Sequence, residues 1–112
     1  MVPAGRLRRR LVLQEEGRVP NGQGGWTTGW QDVGGGKPLR AEVIGLSGDE
    51  ALQEMVKRNI QQWRVTIRKR PGVTTKNRLK EGALVYDIKS IMDDPREPER
   101  FWVLICETGA IL

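Results

Sequence analysis

Histidine is absent from the 112-residue sequence, and cysteine occurs only once, as Cys106. Histidine is the most common general base and metal ligand in proteins, so its absence excludes a Ser-His-Asp or Cys-His catalytic site within this chain. A zinc site would have to be built from one cysteine and carboxylates. A single cysteine also excludes an internal disulfide. Proteins without disulfides are typical of a reducing compartment. These absences predict a protein that is not an enzyme and holds no cofactor.

Long apolar segments are also missing. No run approaches the roughly 20 residues that a membrane-spanning helix requires, and the basic N-terminal segment is not followed by the apolar region of a secretory signal. We therefore expect neither a membrane partner nor export. The composition, 38% hydrophobic and 29% charged, is that of a globular protein, and the length predicts one domain over residues 1–112.

Acidic residues are absent from one long segment. Residues 57–80 contain nine basic side chains and no acidic one, whereas residues 81–112 contain seven acidic and three basic side chains. The formal charge of the whole chain is +5. Such asymmetry suits a polyanionic partner, or neighbouring subunits that meet with opposite charge. The alternative is a solvated surface on which the signs are distributed by chance.

Alternating apolar and polar residues predict a mainly β fold, a small five- to six-stranded β-barrel or sandwich. One short helix is expected over residues 47–59, where Ser47 and Glu50 form a capping box. Residues 73–82 are expected to be a connecting segment. The final strand, residues 100–108, is apolar on both faces, which indicates a central strand or one covered by a partner.

Glycine and tryptophan are concentrated in residues 21–36, which hold seven of the fourteen glycines and two of the four tryptophans. The segment lacks residues that a P-loop or a dinucleotide fingerprint requires. We expect residues 17–36 to form a long, flexible, Gly-rich hairpin arm that becomes ordered on assembly. Its expected assembly residues are Gly24, Gly25, Trp26 and Trp30. The alternative is that both tryptophans cover the protein's own core, because tryptophan buries a large area wherever it packs.

Basic residues on the later strands are candidates for contact with DNA or with a neighbouring subunit: Arg64, Arg68, Arg70, Lys76 and Arg78. Arginine outnumbers lysine thirteen to six, and its guanidinium group suits phosphates and interfacial carboxylates alike. Modules that read bases usually interleave aromatic residues, whereas Trp63 alternates away from the arginines of its strand. Base recognition is therefore disfavoured, and sequence-independent contact with a phosphate backbone remains open.

Two other groups have a chemical and a structural interpretation. The acidic turn that contains Asp93, Asp94, Glu97 and Glu99 could hold a metal only if several oxygens converged. Adjacent acids in a proline-bracketed turn are expected instead to be solvated loop residues. Cys106 alternates into a nearly apolar strand, and we expect a buried small side chain rather than a reactive thiol.

The order of these segments resembles the head–tail joining family of tailed phages, also called head-closure or stopper proteins. The resemblance rests on GLSGDE at a strand-to-helix junction, on VTIRKRPGVT over residues 65–74, and on the terminal hairpin that ends in CE. It extends over about Gly5 to Glu107.

That resemblance implies a structural protein of the virion neck, from a phage or a phage-like gene transfer agent, with no catalytic residues. Subunits would form a ring, twelve-fold by family resemblance, between the portal-side adaptor and the tail proteins. The ring would close the head, retain the packaged double-stranded DNA and provide the tail docking surface. The alternative function is that of a small basic β-barrel that binds nucleic acid without sequence specificity.

Overall fold

The computed structural model describes residues 7–46 and 48–109. Within them the chain forms seven strands, one α-helix and one 3-10 segment. The strands are β1 (Arg9–Pro20), β2 (Trp26–Asp32), β3 (Leu39–Gly45), β4 (Gln61–Arg68), β5 (Arg78–Glu81), β6 (Leu84–Asp93) and β7 (Phe101–Thr108). The helix is α1 (Asp49–Arg58), and the 3-10 segment is Val33–Gly36. The prediction of a mainly β fold with one short helix is confirmed.

All pairings between the strands are antiparallel. The strands follow the order β2-β1-β3-β4-β7-β6-β5, and β5 also pairs with β1. Six strands therefore pair in a closed circuit, and β2 lies outside it beside β1. The long β1 divides its length among three neighbours: Arg9–Leu11 pair with β3, Val12–Gln14 with β5, and Gln14–Pro20 with β2.

The core fills the inside of this circuit with one face of each strand, as strand alternation requires. On β4, Val65 and Ile67 are buried, and on β7 Leu104 and Cys106 are fully buried. The expectation that Cys106 is buried is confirmed. Removing these apolar side chains from water contributes roughly 1.5–3 kcal/mol for each large one. The main core cluster consists of Leu11, Leu13, Leu39, Ala41, Val65, Ile67, Val73, Leu79, Tyr86, Ile88, Leu104 and Cys106.

A short strand, β5, lies in the segment 73–82 that the sequence predicts to be a connection. That prediction is wrong for Arg78–Glu81, which pair with both β1 and β6. Leu79 is fully buried, but a four-residue alternation is too short to distinguish a strand from a turn. The pairing with β1, 64 residues away between Gln14 and Arg78, is what closes the circuit.

The segment 17–36, expected to be a long, flexible hairpin arm, lies largely in the β1–β2 hairpin and is mostly strand. β1 continues to Pro20 and β2 begins at Trp26, so residues 21–25 alone connect them. The Asn21 side chain organises this turn, because its Oδ1 accepts hydrogen bonds from the backbone N–H groups of Gln23 (2.9 Å) and Gly25 (3.1 Å). Asparagine commonly shapes turns in this way.

Helix α1 spans most of the predicted range and ends at Asn59, whose left-handed φ of 52° terminates it. The N-cap position is occupied by Gly48, which makes no side-chain cap. Ser47, the other half of the expected capping box, lies outside the described residues. Met55 is the buried residue of the helix, and Arg58 anchors it to β7 through two hydrogen bonds to the Glu107 carboxylate (2.9 and 3.0 Å).

The turn between β6 and β7 corrects another expectation. Asp94 is fully buried and is not a solvated loop residue. Its carboxylate accepts hydrogen bonds from the backbone N–H of Arg96 (2.7 Å) and from the Arg96 guanidinium group (3.1 and 3.3 Å). The same guanidinium group lies 3.5 Å from Glu42 of β3. The turn is therefore tied to the sheet by a buried charged network.

Among residues 7–46 and 48–109, none of the helices has the length and apolar character to cross a lipid bilayer.

Candidate functional site: the basic end, the arm and the outer groove

Four arginines and a lysine gather where β1, β3 and β4 come together, a region we call the basic end: Arg10, Arg40, Arg68, Lys69 and Arg70. Arg10 pairs directly with Arg40 across β1 and β3, and Arg40 and Arg68 are the next residues beyond the Ala41–Ile67 pair. Strand alternation directs the side chains of Arg10, Arg40 and Arg68 away from the core that Ala41 and Ile67 enter. Lys69 and Arg70 directly follow β4.

A cleft of about 600 Å³ opens at the basic end, lined by Leu39, Arg40, Ile67, Arg68, Lys69, Arg70 and Pro71. Lys69 forms an ion pair with Asp93 at 3.2 Å. The arginines of the basic end, in contrast, have no carboxylate partner within residues 7–46 and 48–109. Unpaired guanidinium groups around a cleft suit the binding of phosphate or carboxylate oxygens.

The structure separates the five basic residues that the sequence selects. Arg68 and Arg70 belong to the basic end. Lys76 lines a different cleft beside Glu15 and Glu16. Arg64 and Arg78 line neither of these clefts. The basic end also includes Arg10 and Arg40, which are not among the five residues selected from the sequence. Strand alternation indicates which basic side chains are exposed, but it gives no information about which strands are neighbours.

Arg78 is the centre of a polar network at the edge of the circuit. Its Nε donates to Oε1 of the buried Gln14 (2.7 Å), and the Gln14 amide donates to Asp32 Oδ1 (2.8 Å). The Arg78 guanidinium group stacks on the Trp30 ring, 4.3 Å from its centroid. Such a cation–π contact contributes roughly 0.5–2 kcal/mol. An aromatic residue therefore covers one of the selected arginines, a contact that alternation within one strand does not reveal.

The arm is the part of the β1–β2 hairpin beyond Gln14 and Asp32, residues 15–31. None of its residues is buried. Trp26 and Trp30 share one face of β2, but Trp30 lies at the base against Arg78, while Trp26 lies at the tip and is 60% exposed. The guanidinium group of Arg18 is 5.8 Å from the Trp26 ring centroid. Gly24 and Gly25 belong to the turn at the tip, where Gly24 has a φ of 80°.

An apolar depression, the outer groove, lies on the outside of the sheet. It measures about 440 Å³ and is lined by Leu46, Arg64, Met92, Asp93, Pro95, Val103 and Ile105. The register places its members side by side: Arg64 pairs with Ile105, and Met92 with Val103. Met92 is 48% exposed, as is the nearby Ile44. The second apolar face of β7, noted in the sequence, forms the floor of this groove.

Residues 7–46 and 48–109 contain no cluster of three or more Cys, Asp or Glu side chains that could hold a metal ion. Burial, with a smaller contribution from the charge of Asp87, raises the pKa of Cys106 to about 12, so this thiol stays protonated near neutral pH. A protonated, buried thiol is not a nucleophile.

Solved structures that share this fold include two with nearly complete coverage of this chain. One is a protein from Shigella flexneri 2a in solution, with a TM-score of 0.67, 26% sequence identity and coverage of 99% of this chain and 100% of that one. The other is a chain of the virion of a native gene transfer agent particle, with a TM-score of 0.61, 22% identity and coverage of 96% and 98%.

No curated protein matches the sequence at a significant level. The family model described as phage head completion protein matches residues 2–109. That match spans nearly the whole chain and agrees with the resemblance carried by the sequence motifs. The chain therefore belongs to the phage head completion protein family, a family of structural virion proteins and not of enzymes.

Proposed function

We propose that the protein forms a ring in the neck of a phage-like particle, between the portal-side adaptor and the tail. In this position it closes the head, helps to retain packaged DNA and offers a docking surface to the tail. The observation that carries the proposal is the basic end, where three arginines, Arg40, Arg68 and Arg70, line one cleft and a fourth, Arg10, pairs with Arg40. None of the four has a carboxylate partner among the described residues. Membership of the head completion family supports the location in the particle.

Retention of DNA in a channel requires contacts that do not depend on the base sequence. Arginines supply them because the guanidinium group binds phosphate oxygens, and because neutralising phosphates releases counterions whatever the sequence. In the proposed ring the basic end faces the lumen.

A charge reversal at the basic end tests the DNA contact. We choose Arg40→Glu with Arg68→Glu, since both side chains are exposed and lie on adjacent strands. The matched control is Lys57→Glu with Lys89→Glu, two exposed lysines on α1 and β6 outside the basic cleft, which change the net charge equally.

The readouts are nuclease-protected DNA per particle and the fraction of particles with tails. The basic-end variant is expected to lose packaged DNA while the control retains it. If both variants keep DNA as well as the unmodified protein does, the basic end does not face the packaged DNA.

The second candidate function is sequence-independent nucleic-acid binding by the isolated subunit, which the same basic end favours. An electrophoretic mobility assay with duplex DNA across a salt series separates the two. Tight binding by a monomer, with strong salt dependence, would favour this alternative. Weak binding by the monomer, together with incorporation into particles, favours the neck role.

A further inference from the structure

We infer that Trp26, at the tip of the arm of one copy, docks into the outer groove of a second copy. The inference rests on the proposed ring and deepens it by naming the two surfaces that meet. Trp26 is a large apolar side chain that the structure leaves 60% exposed, in an arm that has no buried residue. Tryptophan in such a position is a frequent anchor of protein interfaces.

The outer groove has the size and chemistry for an indole ring. Its volume is about 440 Å³, and Val103, Ile105, Leu46 and Met92 supply an apolar floor and wall. Met92 has a flexible side chain with a polarisable sulfur atom that adapts to aromatic rings. The guanidinium group of Arg64 on the wall can stack on an inserted ring, as Arg78 already stacks on Trp30.

Charge at the rim complements the tip of the arm. Arg18, the neighbour of the Trp26 ring, is the one charged residue of the arm between Gly17 and Gln31. Asp93 lines the groove, and its side chain is 61% exposed although it contacts Lys69. Docking of Trp26 brings Arg18 towards this carboxylate, which favours one orientation of the arm.

The arm cannot reach the groove of its own chain. From the Arg10–Arg40 pair, β1 continues ten residues to Pro20, which pairs with Trp26, whereas β3 continues four residues in the opposite direction to Ile44, which pairs with Arg64. At about 3.3 Å per residue the separation is roughly 46 Å, close to the longest dimension of the described chain, 49 Å. The contact is therefore between copies.

Two different surfaces that meet in this way make a heterologous contact. Each copy has one arm and one groove, so every copy offers a free surface to the next. Such contacts propagate, and they form a ring when the rotation between copies closes. A contact of this kind supplies the assembly role that Trp26 is expected to have, while Trp30 keeps the base of the arm in place against Arg78.

A photo-cross-linking experiment in assembled particles identifies the occupant of the groove. Trp26 is replaced by p-benzoylphenylalanine, which keeps an aromatic side chain, and the particles are irradiated. We expect an adduct of twice the 12.7 kDa chain mass, with the cross-link on peptides that contain Met92 or Ile105. Because every copy carries one arm and one groove, higher multiples of the chain mass are also expected. An adduct whose mass is not a multiple of the chain mass, or a cross-link elsewhere on the second copy, would overturn the inference.

Substitutions separate this inference from the proposed function. Trp26→Ser and Met92→Glu are each expected to reduce complete particles about tenfold or more, with thermal midpoints within about 3 °C of the unmodified protein. The matched control is Leu84→Ser, since Leu84 is 40% exposed and lies outside both the arm and the groove.

Rings that form normally with both test variants would refute the arm contact and leave the proposed function standing. Absence of rings from particles built with the unmodified chain would refute the ring itself.

Discussion

Replacing Asp94 by alanine gives the most direct test of the folding argument, because its neighbour Asp93 provides an internal control. The Asp94 carboxylate is fully buried and accepts three hydrogen bonds from Arg96. Hydrogen bonds to charged groups contribute roughly 1.5–3 kcal/mol each. Arg96 is 31% exposed and keeps its contact with Glu42, so water and Glu42 compensate for part of the loss. We expect Asp94→Ala to lower the free energy of unfolding by about 2–3 kcal/mol.

Asp93→Ala removes an adjacent carboxylate that is 61% exposed and forms an ion pair with Lys69. Exposed ion pairs of this kind contribute roughly 0.2–1 kcal/mol. Urea unfolding followed by tryptophan fluorescence measures both changes, and the thermal midpoint of Asp94→Ala should fall by about 6–12 °C. Equal losses for the two variants, or a loss below about 0.5 kcal/mol for Asp94→Ala, would refute the buried network.

The pH dependence of the same pair follows from the charge on Asp94. Burial raises the pKa of Asp94, but the hydrogen bonds from Arg96 outweigh this effect and hold the pKa below its usual value. The unfolded chain therefore binds the proton more readily than the folded protein. The contribution to stability is complete above the unfolded pKa, about 3.9, and is lost as the pH falls through the lower folded value. The stability difference between the unmodified protein and Asp94→Ala should shrink below about pH 4.

Two further expectations concern the thiol and the arm. At pH 8, Cys106 should react with iodoacetamide only as fast as the protein unfolds, because burial raises its pKa to about 12; labelling of the native protein at the rate of the urea-unfolded chain would contradict its burial. Trp30→Ser should lower the free energy of unfolding by about 1–2 kcal/mol through loss of the Arg78 contact, whereas Trp26→Ser should change it by less than about 0.5 kcal/mol. Chemical denaturation measures the free energy of unfolding of both variants. Equal losses would contradict the conclusion that Trp30 stabilises the base of the arm while Trp26 does not stabilise the subunit.

The candidate surfaces show where reasoning from single strands stops. Alternation predicts that Arg64 and Arg68 leave the core on the same side of β4, and the structure agrees. It does not reveal that Arg64 lies beside Ile105 in the outer groove, or that Arg68 lines a cleft together with Arg40 of β3. The two arginines of one strand therefore have different surroundings, one apolar and one basic. Gln14 and Arg78, which are far apart in the sequence, become partners only because β5 pairs with β1.

Composition, periodicity and motif order determined the class of the fold, the helix, the burial of Cys106 and the family, because each depends on residues close together in the sequence. Tertiary structure alone decided the closure of the strands through β5, the burial of Asp94, and the separation of Trp30 from Trp26. The physical reason is that strand pairing joins distant segments. Whether a carboxylate is solvated, or an indole covered, depends on which distant segment lies against it.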